Sequence, residues 1–253
     1  MGNFFGKPTY GPAQGAYSWE HLTFVLLFIG AMIAYAILLG RYFKNKDDQA
    51  KNKVLIWSAF LINGFELFKI AFNIGASEDG MSWTTDLPLF LCSIPLIAIP
   101  MAAFAKGKLR EASLDFVFIF GILGAIIGPI GAAQNYNAYP ILSFPNVVSN
   151  ITHSISGFTS LYIAISGMAS MKKENLKYVF IIILSFCSLA YIANIILDYN
   201  YMFLMHHDGT PYFIIYNLVN GNKVLYPILV VLLFLLYILA FTNTYNYFKK
   251  IKR

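Results

Sequence analysis

The feature that most constrains this 253-residue sequence is a series of apolar runs, each about twenty residues long, the length of a helix that crosses a bilayer. Hydrophobic residues make up 58% of the chain and charged residues only 12%. A soluble domain of this size does not need so much apolar surface. The sequence therefore predicts a multi-pass protein of the cell membrane.

The predicted fold is all-α: a single domain covering residues 1–253 and built as a bundle of seven transmembrane helices. Each predicted span is an apolar run bounded by polar or charged residues. The spans are residues 19–40, 54–75, 85–105, 114–133, 146–170, 177–198 and 223–247.

The positive charges predict the orientation of the bundle. Of the 18 lysine and arginine residues, all but Lys7, Lys69 and Lys223 lie in alternate loops or in the C-terminal tail. Loops rich in lysine and arginine stay in the cytoplasm. We therefore expect the N-terminus outside the cell and the C-terminus in the cytoplasm.

Composition and motifs exclude several classes of function. The formal net charge of +6 reflects the cytoplasmic loops, so it does not indicate a nucleic-acid partner. Cys92 and Cys187 both fall within apolar runs, which argues against a disulfide framework or a thiolate metal site. The adjacent residues His206, His207 and Asp208 resemble a metal-binding fragment, but neighbours in one loop do not readily hold one ion. No metal and no cofactor are predicted.

The predicted topology places most intramembrane polar residues in the outer half of the bilayer. Such residues are costly in hydrocarbon, so we expect them to face the bundle interior and one another. They would form a cavity open to the outer leaflet, lined by Glu66, Lys69, Cys92, His153 and Asn194 beneath His21 and Asp86. The alternative is structural: Glu66 and Lys69 form an ion pair, the asparagines bond helix to helix, and the thiol is core packing.

Two residues at matched predicted depth suggest covalent chemistry. Counting helix rise from each span's outer end puts Cys92 and His153 both about 10 Å below the surface. The imidazole could take the thiol proton, and the thiolate could attack an ester or thioester carbonyl. Asp86 or Glu66 could orient the imidazole, and His21 is the competing base. The predicted substrate-binding residues are Glu66, Lys69, His21, Asn194, Asn200 and Tyr201.

Several segments also resemble a known family. They are WEHLTF in the first span, DLPLFLCSI in the third, GAIIGP in the fourth and NITHSISGF in the fifth, followed by NIILDYNYMFL and DGTP. The chain resembles the bacterial YwaF-like integral membrane proteins, whose eukaryotic relatives include an ether-phospholipid acyltransferase. The resemblance implies a seven-helix fold, and its eukaryotic branch implies acyl transfer through a membrane cysteine. Bacterial members usually carry histidine where this chain has Phe90, and the eukaryotic cysteine aligns nearer Leu89 than Cys92.

Three functions follow as hypotheses. The first is an enzyme that moves or hydrolyses an acyl group on a membrane lipid or lipidated substrate. The second is a non-enzymatic binder or transporter of a small or lipidic ligand, although the chain lacks the internal repeat typical of transporters. The third is a structural partner in a membrane complex. The sequence leaves the oligomeric state open.

Overall fold

A computed structural model describes residues 13–76, 84 and 86–251, and these residues form helices and loops without a strand. Nine α-helices lie in the described part of the chain. In chain order they are α1 (Trp19–Phe43), α2 (Asp48–Ala76), α3 (Pro95–Phe104), α4 (Gly107–Gly131), α5 (Ala133–Ala138), α6 (Phe144–Ser166), α7 (Leu176–Leu197), α8 (Phe213–Leu218) and α9 (Leu225–Ile251).

The chain divides into two compact units. The first comprises residues 1–86 and 95–170, and so contains α1 to α6. The second comprises residues 87–94 and 171–253, and so contains α7 to α9 together with a short 3₁₀ turn, Leu91–Ser93.

Helix α6 is the centre of the first unit, where it contacts α1, α2, α3 and α4. Its contacts with α1 and α4 are close because small residues lie between the helices. At Gly157, an added Cβ would collide with the Met32 sulfur of α1 and would lie 2.5 Å from the Ala125 Cβ of α4. The side chain of Tyr162 is fully buried on the same helix.

Three hydroxyl groups on α6 donate hydrogen bonds to carbonyl groups inside the protein. The Thr159 and Ser166 hydroxyls donate to carbonyls one turn earlier in the same helix, Ile155 at 2.7 Å and Tyr162 at 2.6 Å. Ser160 donates across to the Phe118 carbonyl of α4 at 2.8 Å. Since lipid offers no hydrogen bonds, these bonds let a polar helix occupy the interior of a membrane protein.

The third predicted span differs from the structure. Residues 85–105 were expected to form one helix, but α3 begins at Pro95. Leu87 precedes Pro88, a position that disfavours helical backbone, and Phe90 is extended with φ −86° and ψ 152°. Cys92 lies in the 3₁₀ turn before α3 and is exposed. Its depth therefore cannot be counted along a helix, which corrects the estimate of about 10 Å.

Pro100 removes one backbone hydrogen bond from α3, and a side chain of α2 supplies a replacement donor. Proline has no N–H, so the Leu96 carbonyl loses its usual partner four residues later. The side-chain amide of Asn63 on α2 donates to that carbonyl at 3.0 Å. Near the end of α3, the Asn52 amide donates in the same way to the Ala103 carbonyl at 2.8 Å.

In the second unit, α7 contacts α9 and the turn Tyr201–Phe203 that follows α7. The amide of Asn194 fixes this turn: it donates to the Tyr201 carbonyl at 3.1 Å and accepts from the Tyr201 N–H at 2.6 Å. The ring of Phe90 belongs to the same unit and packs against Tyr199 and Tyr201, with centroids 6.2 and 5.4 Å away.

Five helices in the described residues are long and apolar enough to cross a membrane, namely α1, α2, α4, α7 and α9. Helix α6 has 23 residues, a sufficient length, but its polar side chains keep it outside this set. Helix α3 has only 10 residues. The helical membrane fold is thus established, whereas the seven-span count and the orientation of the termini stay predictions.

We expect Asn63→Leu to lower the free energy of unfolding by about 1 kcal/mol, the usual scale of an interhelical hydrogen bond in a membrane protein. The cause would be the Leu96 carbonyl, left without its donor. Pro100→Ala should suppress the loss, because alanine at that position would supply an N–H within α3. Thermal unfolding in detergent of both single variants and the double variant measures this coupling, and strictly additive effects would contradict it.

The predicted orientation places Arg253 in the cytoplasm. A reporter that works only in the cytoplasm should therefore be active when it is fused after Arg253. A tag at Gly2 should be accessible from outside intact cells. The reason is the retention of loops rich in lysine and arginine on the cytoplasmic side. An external C-terminus would refute the assignment of residues to the outer half of the bilayer.

Candidate functional site

Two carboxylates share one ammonium group in the first unit. Helix α2 presents Glu66, Lys69 and Asn73 on one face, because their spacing of three and four residues matches the helical period. The Lys69 Nζ lies 2.7 Å from Glu66 Oε1 and 3.6 Å from Asp86 Oδ1. The Asn73 amide donates to both Asp86 oxygens, at 3.3 and 3.0 Å. We call Glu66, Lys69, Asn73 and Asp86 the charged cluster.

The ionisable side chains of the charged cluster are largely buried. The side chains of Glu66, Lys69 and Asp86 are 11%, 17% and 7% exposed. Ionisable side chains inside a membrane protein are expensive and mark functional sites more often than those in soluble proteins. The pairing of Glu66 with Lys69 is the one that their spacing predicts, and Asp86 joins them from beyond α2.

His153 lies on the face of α6 that meets α4, within electrostatic reach of Lys69 in the charged cluster. The Lys69 charge and the Gly124 backbone both interact with its ring. Gly128 of α4 provides the space for the imidazole, since a Cβ added there would lie 2.9 Å from Nδ1 and 3.0 Å from Nε2. Gly128, the second glycine of the sequence GAIIGP, thus leaves the space that the His153 ring occupies.

His21 uses both of its ring nitrogens within the first unit. Nδ1 accepts from the Tyr17 N–H at 2.9 Å, so the proton resides on Nε2, which faces the Pro129 carbonyl at 3.1 Å. The ring also packs against that of Tyr136 in a tilted arrangement, with centroids 3.8 Å apart. His21 is fully buried, and these contacts join the start of α1 to the end of α4.

Tyr136 and Asn150 extend this network and were missed by the sequence analysis. The Asn150 amide donates to the Tyr136 hydroxyl at 2.5 Å and to the Asn146 carbonyl at 2.9 Å. Asn146, Asn150 and His153 follow one another at spacings of four and three residues, so they share a face of α6. This repeat of polar residues at helical spacing is the sequence pattern from which Asn150 could have been predicted.

The other predicted site residues belong to the second unit. Cys92 is exposed, whereas Asn194 and Tyr201 are buried and bonded to each other. Asn200 organises the following loop: its oxygen accepts from the Met205 N–H at 2.9 Å, and its amide donates to the His206 carbonyl at 2.7 Å. The shared cavity predicted for Glu66, Cys92, His153 and Asn194 stays a prediction.

No cluster of three or more histidine, cysteine or acidic side chains suited to a metal ion occurs among the residues that the structure describes. His206 and Asp208 do meet, with Nδ1 and Oδ1 2.5 Å apart. The Asn200 amide also donates to Asp208 Oδ2 at 2.7 Å. This pair stabilises a loop.

The apolar helices and the buried charged cluster define the class of this protein: a helical integral membrane protein with ionisable side chains in its interior. A family model confirms and narrows that class. The model of the TMEM164 family matches residues 16–245, so the chain belongs to the TMEM164 family. No curated protein matches the chain, and no solved structure matches it.

The fit between Gly128 and His153 can be tested by adding one methyl group. Gly128→Ala should lower the free energy of unfolding by about 1–3 kcal/mol, because the new Cβ would overpack against the imidazole. Gly64→Ala is the matched control, since a Cβ at Gly64 meets no atom within 4 Å and alanine favours a helix interior by up to about 1 kcal/mol. Thermal unfolding in detergent distinguishes the two.

His153→Ala combined with Gly128→Ala should recover part of the lost stability, because the truncated side chain makes room for the methyl group. If Gly128→Ala alone proved as stable as Gly64→Ala, the close contact between α4 and the ring would be refuted.

Proposed function

We propose that this protein moves or hydrolyses an acyl group on a membrane lipid or on a lipidated protein. The single observation that supports the proposal most is the buried charged cluster, because the charge of its Lys69 reaches the ring of the candidate base His153. The resemblance to the YwaF-like proteins, whose eukaryotic relatives include an ether-phospholipid acyltransferase, suggests the reaction class.

In the proposed reaction, Cys92 is the nucleophile and His153 is the general base. The imidazole takes the thiol proton, and the sulfur attacks the ester carbonyl of the lipid. The carbon–oxygen bond of the ester breaks, the leaving alkoxide takes the proton from the imidazolium, and a thioester on Cys92 remains. An acceptor hydroxyl gives acyl transfer, whereas water gives hydrolysis. Either nucleophile displaces the thiolate, which recovers its proton.

Two local features support these roles. Cys92 is exposed in a short turn, so a lipid ester can reach its sulfur. Asp86 or Glu66 would orient the imidazole, the third-group role seen with other nucleophile–base pairs. Both carboxylates contact Lys69, which would hold them in place while the imidazole changes charge.

A second candidate function is binding or transport of a small or lipidic ligand without chemistry. The shared ammonium of Lys69 favours it, because two carboxylates and one cation form a polar site that needs no thiol. The two functions differ in whether Cys92 carries a covalent acyl group during turnover.

His153→Ala should reduce turnover of an acyl-lipid by about 10²- to 10⁴-fold, the usual contribution of a general base. Cys92→Ser should also abolish turnover, because a serine hydroxyl is a much poorer nucleophile than a thiolate. The measurement is acyl release or transfer by the full chain in lipid nanodiscs, with mass spectrometry of Cys92 for a trapped acyl group.

His207→Ala and Cys187→Ser are the matched controls, since one changes a loop histidine and the other a buried cysteine of the second unit. Both should retain activity. Full activity of Cys92→Ser would exclude the thiol nucleophile, and unchanged behaviour of both test variants would favour the binder or transporter.

A further inference from the structure

A polar groove lies where the end of α3 and the start of α4 meet α2, outside the charged cluster. Its volume is about 430 Å³, and all of its lining residues belong to the first unit. The side chains that give it its chemistry are Asp48, Gln49, Asn52, Phe104, Lys106 and Arg110. We call this feature the α3–α4 groove.

Cationic groups outnumber carboxylates in the α3–α4 groove. Lys106 is exposed, and Arg110 donates to Asp48 Oδ2 at 2.8 Å and to Asn52 Oδ1 at 3.3 Å. The carboxylate of Asp48 is 69% exposed, whereas the Arg110 side chain is only 21% exposed. Water therefore weakens the attraction of Asp48 for Arg110, and the groove keeps a net positive charge.

The Arg110 guanidinium is held in position by a chain of contacts. Asn52 accepts one of its N–H groups and anchors itself to α3 by donating to the Ala103 carbonyl at 2.8 Å. An arginine whose planar fork is already oriented loses less freedom on binding an anion. Its remaining donors match the oxygens of a phosphate group.

Apolar surface adjoins the charged part of the groove. Phe104 is 57% exposed and packs edge to face against Phe60 of α2, which is 63% exposed. Phe60 lies on a helix apolar enough to cross a membrane, so this exposed surface suits lipid tails. A ligand with an anionic head and apolar tails would match both parts.

We infer that the α3–α4 groove binds the phosphate of an anionic phospholipid, with the acyl chains along Phe60 and Phe104. The recognised group is a phosphate ester, whether it is carried by a lipid or by a soluble molecule. This site is separate from the proposed acyl chemistry, because none of its lining residues belongs to the charged cluster. On the predicted topology it faces the cytoplasmic leaflet, where anionic lipids collect.

Native mass spectrometry of the full chain released from mixed phosphatidylcholine and phosphatidylglycerol nanodiscs tests the inference. Lys106→Gln and Arg110→Gln should each reduce retained phosphatidylglycerol by about fivefold, the contribution of one cation near an anionic lipid. Asp48→Asn should increase retention, since it removes the competing carboxylate.

Lys108→Gln is the matched control, because Lys108 lies in the same basic segment but does not line the groove and contacts Glu111 at 3.4 Å. Equal losses in Lys106→Gln and Lys108→Gln would overturn the site in favour of general loop charge. Should Arg110→Gln fail to fold, the exposed Lys106 still decides the question.

Competition with soluble glycerol phosphate identifies the source of the phosphate. Retention that resists the competitor assigns the groove to a lipid, as we expect from the adjoining rings. Loss of lipid at low competitor concentration would keep the phosphate site but assign it to a soluble ester. Equal retention of phosphatidylglycerol and phosphatidylcholine by the unmodified chain would refute the preference for an anionic lipid, since phosphatidylcholine carries the same phosphate with a compensating cation.

Discussion

Polar groups inside a bilayer are stabilised by hydrogen bonds within the protein, and several such bonds connect the helices of the first unit. Pro100 frees the Leu96 carbonyl, and Asn63 of α2 bonds to it. Ser160 of α6 bonds to the Phe118 carbonyl of α4. These bonds do more than satisfy single groups. Each bond also joins two particular helices, α2 to α3 and α6 to α4. The polar side chains therefore specify which helices pack together in an otherwise apolar interior.

The charged cluster meets a similar requirement, but an unpaired charge costs more free energy than an unpaired polar group. A lone ion in the membrane interior costs several kcal/mol or more, and Lys69 contacts two carboxylates at once. Removing Lys69 would leave both carboxylates without their cation, whereas removing one carboxylate leaves a balanced pair. Lys69 is therefore the position of the cluster whose loss should cost the most free energy.

Much of the fold could be predicted because its strongest signals are local. Apolar runs of helical length predict α1, α2, α4, α7 and α9 directly. The third span was placed too early, since Pro88 and Pro95 lie within an otherwise continuous apolar run and proline outweighs hydrophobicity there.

The candidate site was predictable only where its partners are close in sequence. The spacing of three residues predicts the contact of Glu66 with Lys69. The contact of Lys69 with Asp86 depends on how the chain returns after α2, which no periodic pattern encodes. No local sequence pattern predicts the contact of His21 with Pro129 either, because Pro129 lies 108 residues further along the chain.

That separation has a consequence for how the protein is made. A membrane protein is threaded into the bilayer from its N-terminus, so the first helix arrives long before Pro129 and Tyr136 are synthesised. During that interval the imidazole of His21 has only the neighbouring Tyr17 N–H as a partner. The contacts of His21 with Pro129 and Tyr136 therefore form only after α4 and α5 have been inserted. The first unit cannot complete its packing around His21 before that point.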